Sequence, residues 1–597
     1  MGYSIERFLH ISDASSPAFS PDGRWVAYLD DITGTPQLWR APAVGGEPEQ
    51  LTFFTERVRQ PRYAPKGLSL VLSMDRHGDE RQQLHLLDGQ GATTPLTASP
   101  NVIHNFGAWS PDGKAIAYAS NARDEQFFDP HILDLESRTD RLLFLGEGTY
   151  AVAGWSPDGG SLLLSQATDN LYNLLYLYDL KSGALRLLTP AQDHAAYASA
   201  AWAAEGRSLY LLSDEGREFK GVASLDIRTR KLTYLPTAEW DADLLAYSPA
   251  TGRIACTLNV DGYSELLLHG PARGGPVPLD GLPRGVVLDL RWSPDGQSLA
   301  ATVTTPRQPP SVWLLALSGG VARPLSVTSF AGLRPEAFVE PKLVRFPSFD
   351  GRAVPAWLYL PPSATGPKGL PMVVEVHGGP EGQARPAFDP VFQYLLHRGY
   401  GIFSINYRGS SGYGRSYVHL DDVEKRLDTV KDMAAACDWL VESGYTVPQR
   451  IAAYGGSYGG FMVLALAALY PDRCCAGVSL YGISNFQTYF ETTGVWRRKE
   501  RAAEYGDPVK DAALLRSISP VHSLDRVRVP LLLLHGAADP IVTIGESEQV
   551  VEACRALGHP VEYVRIEDEG HGFVKRHNRV RAYRAVVDFL EEHLPVG

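Results

Sequence analysis

The chain has 597 residues, too many for one hydrophobic core, so two or more domains are expected. Hydrophobic residues make up 44% and charged residues 21%, the balance of a globular chain rather than a disordered or fibrous one. A formal net charge of −12 argues against nucleic acid or an anionic membrane surface as partner. No apolar run reaches the roughly 18 residues that a membrane span needs. Five cysteines, two of them adjacent at Cys474 and Cys475, are too few and too odd for a disulfide framework and read as reduced thiols. The start, Met1-Gly-Tyr-Ser-Ile-Glu-Arg-Phe8, lacks the basic residues and apolar run of a signal peptide, so a cytoplasmic protein is expected.

The first half of the chain repeats itself. Ser-Pro-Asp-Gly occurs at Ser20–Gly23, Ser110–Gly113, Ser156–Gly159 and Ser293–Gly296, with degenerate copies at Ala64–Gly67, Ala203–Gly206 and Ser248–Gly252. An aromatic residue precedes each: Phe19, Tyr63, Trp109, Trp155, Trp202, Tyr247 and Trp292. The steps between them are 44, 46, 46, 47, 45 and 45 residues, the length of a four-stranded propeller blade. Pro-Asp-Gly is a turn, and alternating strands such as Trp25–Tyr28 and Ala115–Tyr118 follow it. The repeat predicts a seven-bladed β-propeller over residues 15–330, with the aromatics packed between blades.

After Phe330 the period stops. Arg334–Pro341 reads as a linker, and strands then alternate with helical patterns, the signature of an α/β sheet covered on both faces. Candidate strands are Met372–Val376, Ile402–Asn406, Ile451–Tyr454, Gly477–Leu480, Leu531–Leu534 and Val561–Ile566. Candidate helices are Thr429–Glu442, Tyr458–Leu469, Glu546–Ala556 and Arg579–His593. The predicted architecture is an all-β propeller followed, over 331–597, by an α/β-hydrolase domain with a doubly wound, mostly parallel sheet.

Gly455-Gly-Ser457-Tyr-Gly459 fits G-x-S-x-G, the sharp strand-to-helix turn that holds one serine hydroxyl in the open. A serine hydroxyl is a weak nucleophile and needs a base oriented by a third group. In this arrangement the chain order is Ser, then Asp or Glu, then His, each after a strand. Asp539 ends the polar loop after Leu531–Leu534, 82 residues beyond Ser457; His571, between two glycines, lies 32 residues further on. Charge on the attacked carbonyl oxygen calls for two backbone donors. Tyr458 supplies one, and the His377-Gly-Gly-Pro380 loop supplies the other, through Gly379 in preference to Gly378. Glu567, Asp568 and Glu569 read as a solvated acidic loop, since no Cys/His spacing accompanies them. No phosphate loop or dinucleotide fingerprint is present, and no metal or other cofactor is expected.

Gly455–Gly460, His377–Pro380, Asn406-Tyr-Arg-Gly-Ser-Ser-Gly-Tyr-Gly414 and Gly570-His-Gly-Phe573, joined to the propeller, resemble the prolyl-oligopeptidase family of serine peptidases over nearly the whole chain. His-Gly-Gly-Pro is most similar to the acylaminoacyl-peptidase branch. The resemblance implies cleavage of short peptides, a propeller that limits substrate size, and an N-terminal segment, residues 1–14, packed on the hydrolase domain. It also places Phe486, Tyr489, Phe490 and Trp496 as a first specificity pocket. The dipeptidyl-peptidase branch grips a free amino terminus with paired glutamates, for which Asp79-Glu80 is the acidic pair at hand. A dipeptidyl or aminopeptidase-type member, a carboxylesterase, and a propeller that serves as a protein-binding scaffold are the alternatives. Monomer and homo-oligomer both stay open.

Overall fold

Each Ser-Pro-Asp-Gly run closes the hairpin between the first two strands of a blade. Ser20 N–H donates to the Trp25 carbonyl (2.8 Å), while the Ser20 hydroxyl donates to Asp22 Oδ1 (2.6 Å) and accepts from Trp25 N–H (2.9 Å). Gly23 takes φ 71°, where a side chain would be strained. The same serine–aspartate bond recurs at Ser110–Asp112, Ser156–Asp158 and Ser293–Asp295. The computed structural model describes residues 3–596 apart from 192–193, 237, 271–275, 320–321 and 364–368, so residues 1 and 2 of the N-terminal segment lie outside the described residues.

Seven four-stranded antiparallel sheets form the propeller. Their first strands are Ala14–Phe19, Val58–Tyr63, His104–Trp109, Tyr150–Trp155, Tyr197–Trp202, Ala242–Tyr247 and Val286–Trp292, each completed by the next three strands in sequence. Blade-to-blade packing uses the repeated aromatics: the indoles of Trp109, Trp155 and Trp292 donate to the Arg62, Ala108 and Ala246 carbonyls of the preceding blade. Among the described residues no strand is exchanged between the first and last sheets. Their seam is closed by side chains, with Ala14, Val26, Tyr28 and Ala41 packed on Ala300, Val312, Leu314 and Leu325.

The C-terminal sheet has eight strands: β1 (Lys342–Pro347), β2 (Ala353–Tyr359), β3 (Met372–Val376), β4 (Gly401–Ile405), β5 (Ile451–Gly456), β6 (Ala476–Leu480), β7 (Leu531–Gly536) and β8 (Val561–Ile566). Their order is β1-β2-β4-β3-β5-β6-β7-β8, antiparallel as far as the β2–β4 pairing and parallel from there on. The helices that cover it are α1 (Ile5–Phe8), α2 (Pro390–Arg398), α3 (Asp428–Glu442), α4 (Tyr458–Leu469), α5 (Phe486–Thr492), α6 (Val495–Tyr505), α7 (Gly545–Leu557) and α8 (Arg576–His593), with shorter turns between. One face buries Val430, Met433 and Cys437 of α3, nearly all of α4, and Val550 and Cys554 of α7. The other face buries Ile5 and Phe8 of α1, Val391 and Leu395 of α2, and Ala582, Val586 and Phe589 of α8. The N-terminal segment therefore packs on the C-terminal sheet, Phe8 meeting Tyr394 edge-on at 5.4 Å. Among the described residues no helix is long and apolar enough to cross a membrane.

Polar contacts ring the junction of the two units. Arg579 pairs with Asp31 of the first blade (3.2 Å), Ser416 with Glu218 of the fifth (2.6 Å), and Arg385 and Arg345 with Asp243 (2.8 Å) and Asp261 (2.6 Å) of the sixth. At the second blade the contact is backbone on backbone: a methyl at Gly78 would lie 2.6 Å from the Gly570 nitrogen.

Candidate active site

β5 ends at Gly456 and α4 begins at Tyr458, leaving Ser457 alone on the turn at φ 58°, ψ −121°. That conformation costs about 1–3 kcal/mol in a residue with a Cβ, so the surroundings must hold it. Ser457 N–H donates to the Leu480 carbonyl at the end of β6 (2.9 Å), and its own carbonyl accepts from Phe461 N–H (3.1 Å). The hydroxyl lies 3.0 Å from His571 Nε2.

His571 follows β8 and Asp539 follows β7. Asp539 Oδ2 sits 2.6 Å from His571 Nδ1, while Oδ1 accepts from the Ile541 (2.8 Å) and Val542 (3.0 Å) amides. Burial alone would raise the Asp539 pKa, but His571, His535 and these hydrogen bonds outweigh it and hold the carboxyl well below its ordinary range. An ionised carboxylate only accepts, so the His571 Nδ1 position carries the proton and Nε2 is left to accept from the serine hydroxyl. The structure thus brings Ser457, His571 and Asp539 into one hydrogen-bonded line. His535, buried nearby, bonds Ser547 Oγ and the Val542 carbonyl, both at 2.7 Å. The Tyr481 ring lies 4.7 Å from the His571 ring and limits its movement.

The His377–Pro380 loop leaves the end of β3 and passes beside Ser457: a methyl on Gly378 would come within 3.1 Å of Ser457 Cβ. Gly379 takes φ 135°. Among the described residues the amides of Tyr458, Gly378 and Gly379 have no acceptor, which leaves them available to an oxyanion. The loop is fixed from below. His377 stacks on Tyr407 with ring centres 4.3 Å apart, Tyr407 OH donates to the His377 carbonyl (2.8 Å), and burial lowers the His377 pKa to about 4, which keeps that ring neutral. On its other side, the Gly379 carbonyl accepts from Tyr505 OH (3.3 Å) and Arg501 Nη1 (3.4 Å).

Phe486, Tyr489 and Phe490 are 0%, 2% and 3% exposed and form an aromatic cluster around Tyr505, directly behind the Gly379 loop. Trp496 turns the other way, onto Ile103, Ala119 and Phe128 of the third blade. The acidic pair divides. Asp79 is used up within its own loop, accepting from the Arg76 and Arg81 amides. Glu80 is half-buried at φ 58°; its carbonyl accepts from the Gln82 amide (2.9 Å), but its carboxylate has no hydrogen-bond or ion-pair partner among the described residues. Burial raises its pKa against the charges of Arg497, His571 and Arg57, and Gly78, two residues before it, packs on the Gly570 backbone next to His571.

The expectation of a solvated acidic loop at 567–569 needs correction. Glu569 is 2% exposed and accepts from the Val574 and Lys575 amides and Asn578 Nδ2, pinning the segment that follows His571; Asp568 pairs with Lys575 at 3.1 Å. Asp421, Asp422 and Glu504 bring carboxylate oxygens within 4.8 Å of one another, but Arg426 lies among them in the place a cation would take. Arg426, Arg501 and Tyr505 carried no sequence signal: each stands in an ordinary helical or loop context, and only the fold brings them under the Gly379 loop and the Tyr458 ring.

Residues 386–596 match the sequence model of the prolyl oligopeptidase family. Dipeptidyl aminopeptidase BIII of Pseudoxanthomonas mexicana is 28% identical over 622 residues, covering 97% of this chain and 87% of the relative. The acylamino-acid-releasing enzyme of Arabidopsis thaliana is 30% identical over 211 residues, 34% of this chain and 27% of its own. The solved structure of a puromycin-hydrolyzing peptidase from Mycobacterium tuberculosis superposes with a TM-score of 0.85 at 25% identity, covering 99% of this chain and 96% of that one. With that family model over residues 386–596, the catalytic part of the chain belongs to the prolyl oligopeptidase family of serine peptidases, and its relatives include both dipeptidyl and acylaminoacyl peptidases.

Proposed function

We propose that the protein hydrolyses short peptides through an acyl-enzyme on Ser457. The observation that carries the mechanism is the continuous line from Ser457 Oγ through His571 to Asp539, at 3.0 and 2.6 Å. As Oγ attacks the scissile carbonyl carbon, its proton passes to His571 Nε2. Asp539 holds the other ring nitrogen and stabilises the imidazolium that forms. The carbonyl oxygen, now carrying negative charge, takes hydrogen bonds from the Tyr458 and Gly379 amides. The tetrahedral intermediate collapses, His571 returns its proton to the leaving amine, and water then cleaves the ester by the same steps. The polar contacts that hold the propeller against the catalytic domain support a limit on substrate length.

Two observations favour a free amino terminus over a blocked one. Dipeptidyl aminopeptidase BIII of Pseudoxanthomonas mexicana matches over 97% of the chain, whereas the acylamino-acid-releasing enzyme of Arabidopsis thaliana matches over 34% of it. In addition, Glu80 stands on the second-blade loop whose Gly78 packs on Gly570 next to His571, and its carboxylate has no partner among the described residues, which suits it to an α-ammonium group. The test compares one short peptide with its amino terminus free and acetylated, with Ser457→Ala as the blank. Faster cleavage of the free form, with a 10- to 100-fold rise in KM in Glu80→Gln, is the expected outcome, since a charged hydrogen bond contributes roughly 1.5–3 kcal/mol. Preferred cleavage of the acetylated peptide, unaffected by Glu80→Gln, would place the enzyme with the acylaminoacyl peptidases instead.

A further inference from the structure

A propeller side chain, Asn170, meets the carboxylates that lie beneath the oxyanion donors. Asn170 lies in the fourth-blade hairpin loop between strands Ser161–Ala167 and Asn173–Asp179, a loop shaped by Asp169 Oδ1, which accepts from the Leu171 and Tyr172 amides (both 2.8 Å). Tyr172 OH, 2.5 Å from His419 Nε2, anchors the same loop to the catalytic domain. The Asn170 amide nitrogen meets two carboxylates of that domain, Glu381 Oε1 and Glu504 Oε2 (3.3 Å for the latter). Because both partners accept, the amide presents its nitrogen to them, and its two N–H groups match two oxygens that otherwise repel.

Each carboxylate leads to one oxyanion donor. Glu381 holds Arg501 Nη1 with both oxygens at 3.1 Å, and that same nitrogen reaches the Gly379 carbonyl (3.4 Å). Glu504 pairs with Arg426, whose Nη1 reaches Tyr458 OH (3.2 Å) and whose guanidinium lies 5.2 Å from the centre of the Tyr458 ring. The two branches share no other bridging residue from the propeller among the described residues.

We propose that Asn170 is a positioning residue for the oxyanion site: by bridging Glu381 and Glu504 it sets Arg501 and Arg426, and through them the Gly379 and Tyr458 amides, so that these donors are aligned when the fourth blade is docked. The proposal rests on the assignment of those two amides as oxyanion donors. Losing a donor outright typically costs about 10²–10³ in rate, so misaligning both without removing either should cost roughly tenfold. The loss should fall on kcat, because Asn170 acts on the donors through the two carboxylates it bridges.

The test measures kcat and KM for a short peptide in the wild type, Asn170→Ala and Asn170→Asp, together with the affinities of a peptide aldehyde and of the product peptide. The aldehyde forms a tetrahedral adduct whose oxyanion reads the donors directly; the product does not. Asn170→Ala is expected to lower kcat about tenfold with KM within about twofold, and to weaken the aldehyde in step while sparing the product. Asn170→Asp, which sets a third carboxylate against two others, should be worse by about a further tenfold. Glu381→Gln leaves the propeller intact and should lower kcat alike, with the double variant Asn170→Ala/Glu381→Gln no worse than the poorer single one. Unchanged kcat in both Asn170 variants, a loss confined to KM, equal weakening of aldehyde and product, or additive losses in the double variant would each overturn the proposal. Turnover that survives Ser457→Ala would instead overturn the catalytic assignment on which it rests.

Discussion

Removing Arg426 tests the ion-pair network beneath Tyr458 most sharply. Arg426 and Asp421 are both 0% exposed and pair at 2.5 Å; Arg426 Nη2 also donates to the Glu504 carbonyl (2.6 Å) and pairs with its carboxylate. Arg426→Met keeps much of the volume but leaves two buried carboxylates without their cation. Stripping one partner from a buried pair costs about 3–5 kcal/mol. For a domain of this size about 2–4 °C of Tm accompanies each kcal/mol, so Tm should fall by roughly 6–20 °C at pH 8. The loss should depend on pH in a fixed direction. Burial already raises the Glu504 carboxyl to about 7 and lifts Asp421 well above its ordinary range, against the pull of the arginine. Without Arg426 both rise further. A carboxyl whose pKa is higher folded than unfolded favours the folded state below its unfolded value of about 4, and that contribution is lost as pH climbs through the folded pKa. The gap between wild type and variant should therefore be widest at pH 8 and narrow toward pH 5. Scanning calorimetry at both pH values reads it directly. A gap under 2 °C at pH 8, on the scale of about 2–4 °C per kcal/mol, or one that widens on acidification, would refute the reasoning.

Asp539→Asn should lower kcat by about 10⁴ with little change in Tm, because an amide cannot accept from two backbone N–H groups and also hold the protonated His571 Nδ1 position; an active variant would show that His571 is oriented by another group. Gly570→Ala should cost about 1–3 kcal/mol and at least tenfold in kcat/KM, since its methyl would run into the Gly78 carbonyl, 2.6 Å from that carbon, and force the second blade and the His571 loop apart. Wild-type stability and turnover in Gly570→Ala would mean that this close approach is easily relieved. The preference for an unblocked peptide should fade above about pH 8, where an α-amine of pKa about 7.7–8.0 loses its proton. Because burial raises the Glu80 pKa, the preference should also fade on acidification, as the carboxylate is protonated. The ratio of kcat/KM for free and acetylated peptide across pH 5–9 should form a bell that disappears in Glu80→Gln; a ratio flat across that range would remove Glu80 from substrate recognition.

What the sequence made legible depended on whether a residue's task is local. The Ser-Pro-Asp-Gly turns bond within six residues, so seven blades could be counted from the chain alone. Ser457, Asp539 and His571 each stand on a loop that follows a strand, where the glycines and the chain order carry the signal. Local patterns were less clear where an element has mixed exposure. β1 (Lys342–Pro347) is an edge strand with one fully buried residue, and β2 (Ala353–Tyr359) contains a proline, so neither gave a clean strand pattern. Helix α2 carries a local signature, Asp389 capping, Pro390 at the first turn and Gly399 at the end, but nine residues are too short for an apolar period to stand out. The acidic run at 567–569 looked solvated because sequence cannot show that Glu569 turns inward to the Val574 and Lys575 amides. Asn170, Glu381, Arg501 and Arg426 lie furthest from local pattern. Asn170 is 211 residues from Glu381 and 334 from Glu504, and only the docking of two separately folded units brings them together. In such an architecture the nucleophile, base and orienting acid are encoded within the catalytic domain. On the proposed bridge, the charges that set the donors also lie in that domain and the neutral Asn170 amide ties them to the fourth blade, so the propeller can influence the chemical step as well as access to it.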